Sequence, residues 1–399
     1  MMSFISLTFI AVACIGCLGT LGMTCVFPLL GGMLHFLSLR LSGGSTKDTT
    51  RTPVKRIAIL IPAHNEAHTL ALTLTSVQKS ISHLQAKHPK IQVVVRIGAD
   101  GCTDTSEKIA HSFGVEVLQF PGQGKWKTVH ALVKASQDSD WVVMADSGIL
   151  WPDNFLLECL PLCEQSDVMG VAPTYQNPSP GIVERMIWNL ERVLKTLENI
   201  SGGPVSVHGP TVLYRQAILQ TALDQLTRKS EAQQAGWIND DVVISLFLRL
   251  TQPQQRIVYL SSVAAFDSVE SQIDVKTQKP LRELNRRKRI VLGNLQWMRI
   301  ILRPYARQNL SASLIACRRI FRMLWAYWML ALAVGGISLM FLLQGLNLSL
   351  ALSLFIILLA FAIVVSPTLR PLQMLLDAGW VSLMAPYYWM SKQSLSRWK

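Results

Sequence analysis

The sequence predicts an α/β domain with a doubly wound sheet, flanked by transmembrane helices. In the middle of the chain, short apolar β-branched runs alternate with stretches of helical periodicity, which is typical of such a sheet. Dense apolar segments lie at both ends: no Lys, Arg, Asp or Glu precedes Arg40, and residues 321–390 carry few charges. A chain of 399 residues is long enough for one large domain and several membrane helices.

The alternation predicts each element of the domain in turn. Apolar runs such as IAILI and WVVMA are short and rich in β-branched residues, as buried strands are, and helical periodicity separates them. The predicted strands are 57–61, 93–97, 115–118 and 141–145, and the predicted helices are 67–84, 105–112 and 128–135.

Carboxylates follow three of the predicted strands. Glu66 comes shortly after the first, Asp100 after the second and Asp146 directly after the strand 141–145. Ligands of doubly wound sheets bind at the carboxyl ends of the strands. Three carboxylates at one edge repel each other unless a cation or hydrogen-bond donors join them, which favours a divalent metal with a diphosphate. Taken singly, Glu66 and Asp100 are more typical of a turn or a helix cap than of a ligand-binding residue, but their order and their position at strand ends favour one site.

Three apolar segments are predicted to span a membrane. A helix of about 20 apolar residues crosses a bilayer, and residues 4–27, 321–343 and 346–365 meet this requirement. A cleaved signal peptide is the alternative for the first segment, but basic residues normally precede such a peptide and none do here. Residues 372–390 contain Asp377, so an interfacial or re-entrant helix is favoured there over a fourth span.

The charge distribution predicts the orientation and the partners. Basic residues follow the first apolar segment and precede the second, which places the domain between them in the cytoplasm, on the inner side of the plasma membrane. The formal charge of +13 also suits nucleic acid. Much of the excess lies beside the apolar segments, where anionic lipid headgroups are the expected partner, so nucleic acid is not predicted.

Five segments together resemble glycosyltransferase family 2, the nucleotide-sugar enzymes of GT-A fold that include cellulose and ceramide-sugar synthases. They occur in the order of that family and cover about residues 55–300. The segments are IAILIPAHNEAHTL, GADGCTDTSEKIA, GKWKTVHAL, GWINDDVVISL and NRRKRIVLGNLQ.

The resemblance implies a role for particular residues. Asp241 would be the general base that deprotonates the acceptor hydroxyl, with Asp240 in the neighbouring acidic position. Asp146 would belong to the metal-binding Asp-x-Asp motif, with Mg²⁺ or Mn²⁺ as cofactor. The residues implied in nucleotide-sugar binding are Pro62, Ala63, Asn65, Glu66, Asp100, Lys125, Arg286 and Arg289.

Three motifs depart from the family pattern. The mildest departure is conservative: Asp240 stands where the family usually has Glu. The Asp-x-Asp motif keeps one carboxylate, because Met144 or Gly148 stands at the other position in the two possible registers. Either Glu66, a water or the diphosphate completes the metal shell, or metal dependence is weak. The Gln-x-x-Arg-Trp segment has Arg at its first position and Ile290 in place of its aromatic residue, which disfavours processive synthesis. Its two arginines could alternatively form a basic stripe at the membrane surface.

The sequence therefore predicts three parts: an anchor at residues 1–40, a GT-A domain at 41–315 and a membrane region at 316–399. The predicted enzyme is an inverting glycosyltransferase that moves a sugar from a nucleoside-diphosphate sugar, a UDP-sugar in the first instance, to a lipid-linked or membrane-proximal acceptor in glycolipid or cell-surface polysaccharide synthesis. A processive polysaccharide synthase and a non-catalytic nucleotide-binding partner of a glycan assembly complex are the alternatives.

Overall fold

The computed structural model describes residues 4–21, 26–41, 51–176, 182–231, 236–267, 280–344, 353 and 370–390. The chain divides into two compact units. The first consists of Met1–Phe27, Lys279–Gln296 and Ala316–Ser394, and the second of Pro28–Gln278, Trp297–Ile315 and Leu395–Lys399. The domain boundaries expected after residues 40 and 315 stay predictions.

The second unit is built on an open mixed sheet, which among the described residues has eight strands in the order β3-β2-β1-β4-β7-β6-β8-β5. The strands β3, β2, β1 and β4 run parallel, and β7 pairs with β4 in the antiparallel sense. The strands are β1 Arg56–Ala63, β2 Gln92–Asp100, β3 Glu116–Phe120, β4 Trp141–Ala145, β5 Ile149–Leu150, β6 Val168–Gln176, β7 Thr211–Arg215 and β8 Arg256–Asp267. The predicted α/β class is confirmed.

Helices connect these strands and continue beyond them. Among the described residues they are α1 Phe4–Leu21, α2 Phe27–Leu41, α3 Ala67–Lys87, α4 Ser106–Ser112, α5 Lys125–Lys134, α6 Phe155–Cys163, α7 Ile182–Glu198, α8 Gln216–Glu231, α9 Asp240–Thr251, α10 Pro280–Trp297, α11 Leu310–Met323, α12 Trp325–Gln344, α13 Arg370–Leu383 and α14 Ala385–Met390. Short helical segments lie at Asn199–Ser201, Met298–Leu302, Arg303–Tyr305 and Ala306–Gln308.

The core strands lie close to their predicted positions because they are buried on both faces. Every residue of β1 after Arg56 is buried, which explains its continuous apolar run. Strand β2 extends three residues past the prediction, because Gly98 and Ala99 continue the parallel register opposite Pro62 and Ala63. This extension makes Asp100 the last residue of the strand.

Helix α5 begins at Lys125, three residues before its predicted start. The preceding Gly124 has φ 93°, a left-handed conformation that glycine adopts without a steric penalty. Residues 122–124 therefore turn sharply into the helix, and Lys125 occupies its first position. That position faces the edge of the sheet where the polar residues were expected.

In the first unit, α1 and α12 pack closely through small residues. A side chain on Gly16 would lie 2.6 Å from the backbone nitrogen of Leu332, and one on Gly335 would lie 2.6 Å from that of Ala13. Glycines allow such close backbone approach between apolar helices.

The predicted membrane spans differ from the helices at their ends. The segment 4–27 contains the end of α1 at Leu21 and the start of α2 at Phe27. The segment 321–343 overlaps two helices, α11 and α12, and is corrected to a break at Leu324, where the chain bends by 63°. Within the described residues no single helix combines the length and apolarity that crossing a bilayer requires, whereas α11 and α12 together do so by length and composition.

The two other apolar segments have different outcomes. Residues 346–365 lie outside the described residues, apart from position 353. Residues 372–390 form α13 and α14, with a break just before Ala385 and Pro386. The existence and number of spans stay predictions.

Candidate active site

The site lies where β1, β2 and β4 end, in the second unit. Asp146 follows the last residue of β4, and its backbone nitrogen donates a hydrogen bond to the carbonyl oxygen of Pro210 at 2.9 Å. Strand β7, which begins at Thr211, pairs with β4 from its last residue, Ala145. The antiparallel pairing thus brings the segment 207–210 beside the aspartate.

Lys125 links two carboxylates that are distant in the sequence. Its ammonium nitrogen lies 2.8 Å from Oδ1 of Asp146 and 3.3 Å from Oδ2 of Asp240, the first residue of α9. All three side chains are about one-third exposed, so solutes can reach them. We call these three residues the Lys125 cluster.

The pKa values in the cluster reflect burial and charge together. Burial lowers the pKa of Lys125, but attraction to Asp146 and Asp240 outweighs this effect and the net pKa is raised. For Asp146, burial raises the pKa, Lys125 opposes this, and the neighbouring carboxylates of Asp240 and Asp267 raise it further. The Lys125 ammonium therefore stays protonated, and its single positive charge is shared between two carboxylates.

Glu66 is tied to the same edge of the sheet. The hydroxyl of Thr69 lies 3.2 Å from Oε2 of Glu66, to which it donates, and 3.0 Å from the hydroxyl of Ser147. Burial raises the pKa of Glu66, and among the charges around it Asp146 raises it as well. Thr69 thus links Glu66 to Ser147, the residue that follows Asp146.

Four residues predicted to bind the nucleotide sugar have structural contacts of their own. Pro62 and Ala63 are buried in β1, and their contact with a ligand stays a prediction. Asn65 has φ 58°, and its side-chain oxygen accepts hydrogen bonds from the backbone nitrogens of Thr103 and Asp104, at 2.8 and 3.3 Å. It thereby ties the loop after β1 to the loop after β2.

Asp100, the fourth of these residues, is fully buried and holds the turn before α5. Its two carboxylate oxygens accept hydrogen bonds from the backbone nitrogens of Gln123 and Gly124, at 2.8 and 2.7 Å. The next residue along the chain is Lys125. Asp100 thus positions the start of α5, while direct contact with the nucleoside stays a prediction.

Replacing Asp100 with asparagine tests this positioning role. The variant Asp100→Asn keeps one acceptor oxygen. It places an amide NH₂ group, which cannot accept a hydrogen bond, opposite the second backbone N–H. We expect a loss of about 1–3 kcal/mol in the free energy of unfolding, because one buried donor loses its partner. Urea denaturation measures this loss, and the exposed Asp153→Asn is the matched control. Equal stability of the two variants would contradict the role.

Asp241 faces a different part of the site from Asp240. Its backbone oxygen accepts hydrogen bonds from the nitrogen of Val207 and the hydroxyl of Ser245, at 3.2 and 3.1 Å. A side chain built on Gly209 would have its Cβ 3.4 Å from the Cβ of Asp241. Asp241 therefore lies beside the segment 207–210, whereas Asp240 faces Lys125.

An aromatic cluster adjoins this segment. The ring of His208 lies 5.5 Å from Trp188, 5.8 Å from Tyr259 and 6.3 Å from Tyr175, between ring centroids. The hydroxyl of Tyr175 donates a hydrogen bond to Asp267, which in turn acts electrostatically on Asp146. The aromatic cluster thus connects to the Lys125 cluster through Asp267.

Sequence reasoning missed most of this aromatic cluster. Tyr175, Trp188, Tyr259 and Asp267 were not predicted as site residues. They come from β6, α7 and β8, and no local spacing links them. Only the pairing of β6 with β8 brings Tyr175 and Tyr259 onto adjacent strands.

Arg286 and Arg289 lie on α10, within residues 279–296 of the first unit. The side chain of Arg289 is exposed. Their role in donor binding stays a prediction.

The carboxylates of the Lys125 cluster fit a divalent cation. Because one ammonium nitrogen reaches both Asp146 and Asp240, one metal ion can reach both as well. Their oxygen atoms are the hard ligands that Mg²⁺ and Mn²⁺ prefer. No group of three His, Cys, Asp or Glu residues with metal-site geometry occurs among the described residues, so donor oxygens or water must complete the coordination.

Comparison with known proteins finds a family match over part of the chain. Residues 58–223 match the family model for Glycosyl transferase family 2. This match confirms the predicted enzyme class, a glycosyltransferase, for a domain that contains Asp100, Lys125 and Asp146. Asp240 and Asp241 lie beyond the matched residues. No curated protein matches the chain.

Two solved structures resemble this chain to different extents. One is the mannosyltransferase PcManGT from Pyrobaculum calidifontis in complex with GDP-Man and Mn²⁺. It is 14% identical to this chain with a TM-score of 0.58, and the match covers 96% of this chain and 100% of the PcManGT chain. The other is glucosyl-3-phosphoglycerate synthase from Mycobacterium tuberculosis in complex with Mn²⁺, UDP and phosphoglyceric acid. It is 17% identical with a TM-score of 0.41, and the match covers 61% of this chain and 78% of the synthase chain. The likeness to PcManGT supports a GT-A-like fold that extends beyond residues 58–223.

Proposed function

We propose that the glycosyltransferase family 2 domain of this chain transfers one sugar from a nucleoside-diphosphate sugar to a lipid-linked or membrane-proximal hydroxyl, with inversion at the anomeric carbon. The observation that carries the proposal is the Lys125 cluster. A lysine and two aspartates converge at the carboxyl end of β4, where open α/β sheets bind their ligands. The arrangement offers a diphosphate one ammonium and one metal position.

Lys125 is the residue that meets the diphosphate. Its raised pKa keeps the ammonium charged at physiological pH, and its place at the start of α5 lets the helix N-terminus add to the attraction. As the sugar departs, negative charge grows on the leaving diphosphate. A cation held in place beforehand stabilises that charge without reorganisation.

The cofactor is a divalent metal, Mg²⁺ or Mn²⁺, held by Asp146 and Asp240. The GDP-Man complex of PcManGT, which shares the fold, contains Mn²⁺. When bound, the metal supplies further positive charge to the diphosphate. With a metal bound, Asp146 and Asp240 would hold it, and the Lys125 ammonium would be available to the diphosphate.

Asp241 acts as the general base. It lies at the beginning of α9 beside the segment 207–210, one residue from Asp240 and therefore close to the donor position. Its carboxylate takes the proton of the acceptor hydroxyl while that oxygen attacks the anomeric carbon from the side opposite the diphosphate. The rings of Trp188 and His208 offer apolar faces on which a sugar ring can stack.

The acceptor side and the cellular location follow from the flanking segments. We infer an integral membrane protein of the plasma membrane, with the catalytic domain on the cytoplasmic side. The charge-free first 39 residues and the basic residues at both ends of the domain support this orientation. An acceptor carried by a lipid would then remain at the surface where the enzyme lies.

A donor screen tests the proposal. The full chain in nanodiscs, with Mn²⁺ and a membrane lipid extract, is incubated with UDP-, GDP- and other nucleotide-linked sugars, and release of the nucleoside diphosphate is measured. We expect release with one donor class and one sugar on the lipid product. A long ladder of products would favour a processive synthase, and donor binding without release would favour the non-catalytic partner.

A further inference from the structure

We propose that one surface of the catalytic unit lies directly on an anionic lipid leaflet, independently of the membrane segments at the ends of the chain. This surface, which we call the apolar face, is formed by α7 with its following turn and by α2. The apolar face would place the catalytic unit at the membrane surface. The inference rests on the proposed function only in taking the acceptor to be a lipid headgroup. The exposed members of the apolar face are Leu29, Met33, Phe36, Leu37, Met186, Leu190, Val193 and Ile200.

Helix α7 carries an apolar stripe on its exposed side, beside the exposed basic residues Arg185 and Arg192. Met186 and Leu190 are 67% and 53% exposed, and Val193 continues the same stripe at positions i, i+4 and i+7. Lys195, in contrast, is 2% exposed, and its ammonium donates a hydrogen bond to the hydroxyl of Ser206 at 3.2 Å. An exposed apolar stripe bordered by exposed arginines is typical of a helix that lies on an anionic lipid surface.

Residues 28–41 of α2 repeat this pattern. Leu29, Met33 and Phe36 are exposed at positions i, i+4 and i+7. The buried side of the helix packs through Gly31, whose carbonyl oxygen accepts a hydrogen bond from the hydroxyl of Ser311 at 2.9 Å. Packing therefore orients α2 so that its apolar stripe points away from the unit.

The two stripes form one continuous surface. A side chain built on Gly32 of α2 would lie 3.6 Å from Cγ2 of Ile200, which follows α7 directly. A contiguous apolar patch on a folded unit marks a site of protein or membrane contact.

Charge selects lipid as the occupant. Two copies of a chain with a formal charge of +13 repel each other, whereas an anionic leaflet attracts each copy. Moreover, residues 28–39 contain no Lys, Arg, Asp or Glu, so the stripe of α2 has no charge that would oppose contact with acyl chains. A leaflet accommodates both features.

The placement of Trp188 gives the apolar face a role in transfer. Trp188 lies on α7 between Met186 and Leu190, and its ring contacts His208 and Tyr175. A helix with its side chains is about 10–12 Å across. A leaflet on the outer side of α7 would therefore lie about one helix diameter from the aromatic cluster, within reach of a hydroxyl on a lipid headgroup.

Lipid photo-cross-linking tests the apolar face. The full chain is placed in nanodiscs of phosphatidylcholine and phosphatidylglycerol that contain a phospholipid with a photoreactive acyl chain, and labelled residues are mapped by mass spectrometry. We expect labels at 29–37 and at 186–200. The charged variant Leu190→Glu should lower labelling of 186–200 to background. The matched control Leu72→Glu, at an exposed leucine of α3, should leave it unchanged.

Two results would overturn the proposal. Labels confined to α1 and α12 would show that the catalytic unit stands away from the lipid. Cross-links between two copies at α7 would show that a second chain covers the apolar face instead. Because no sugar donor is present, failure of the proposed glycosyl transfer would leave a positive labelling result intact, and the two proposals can fail separately.

Discussion

Asp241→Asn is expected to lower kcat for sugar transfer by about 10²–10⁴-fold while leaving donor affinity within about twofold of the native value, because a general base contributes a factor of that size. The amide cannot take the proton from the acceptor hydroxyl. Lys125 contacts Asp146 and Asp240, so the donor position keeps its charges in this variant. Steady-state rates and calorimetric donor titration measure the two quantities.

The comparison with Asp153→Asn controls for loss of a carboxylate as such, since Asp153 is exposed in the turn before α6. Its rate should equal that of the native enzyme. If Asp241→Asn retained full activity while Asp240→Asn abolished transfer without affecting metal binding, the base would be Asp240 and the proposed roles would be wrong.

Lys125→Met is expected to reduce kcat/KM for the donor by about 10²–10³-fold, the loss that follows removal of one preorganised charge-stabilising group. The methionine side chain is similar in length, so the change removes the charge and little volume. The same variant should bind Mn²⁺ more tightly than the native chain when no donor is present. The reason is that Asp146 and Asp240 lose their internal counter-ion.

A fall in kcat/KM together with a rise in Mn²⁺ affinity distinguishes the proposed role from simple misfolding, which would lower both activity and metal binding. Lys127→Met, two residues further along α5 and exposed, is the matched control and should change neither. Lower Mn²⁺ affinity in Lys125→Met than in the native chain would contradict the competition between ammonium and metal.

The sequence predicted the parallel half of the sheet well because burial on both faces leaves a continuous apolar run. Strand β4 lies at its predicted residues 141–145, and β1 and β2 differ only at their ends. The mixed half, which contains strands β5 to β8, was not predicted. Strand β5 has two residues, too few for a recognisable pattern. Strands β6 and β8 pair although they lie about 90 residues apart in the sequence, so no local pattern indicates this pairing.

The site was predictable where residues follow a strand directly. Asp146 is such a residue, and Lys125 was expected near a diphosphate because of its motif. The sequence could not predict that Lys125 bridges Asp146 and Asp240, since this contact depends on how α9 packs against the sheet. The hydrogen bonds that Asp100 and Asn65 accept from other loops were not predicted either, because they join segments more than 20 residues apart in the sequence.

The central claim is that Asp146, Asp240 and Lys125 form one site for a metal and a donor diphosphate. The most direct test is the electron paramagnetic resonance signal of free Mn²⁺, titrated with the full chain in nanodiscs with and without the nucleoside diphosphate of the active donor. We expect the nucleotide to tighten Mn²⁺ binding in the native chain, and Asp146→Asn to abolish this gain. Equal Mn²⁺ binding by the native chain and Asp146→Asn, with nucleotide present, would contradict the claim.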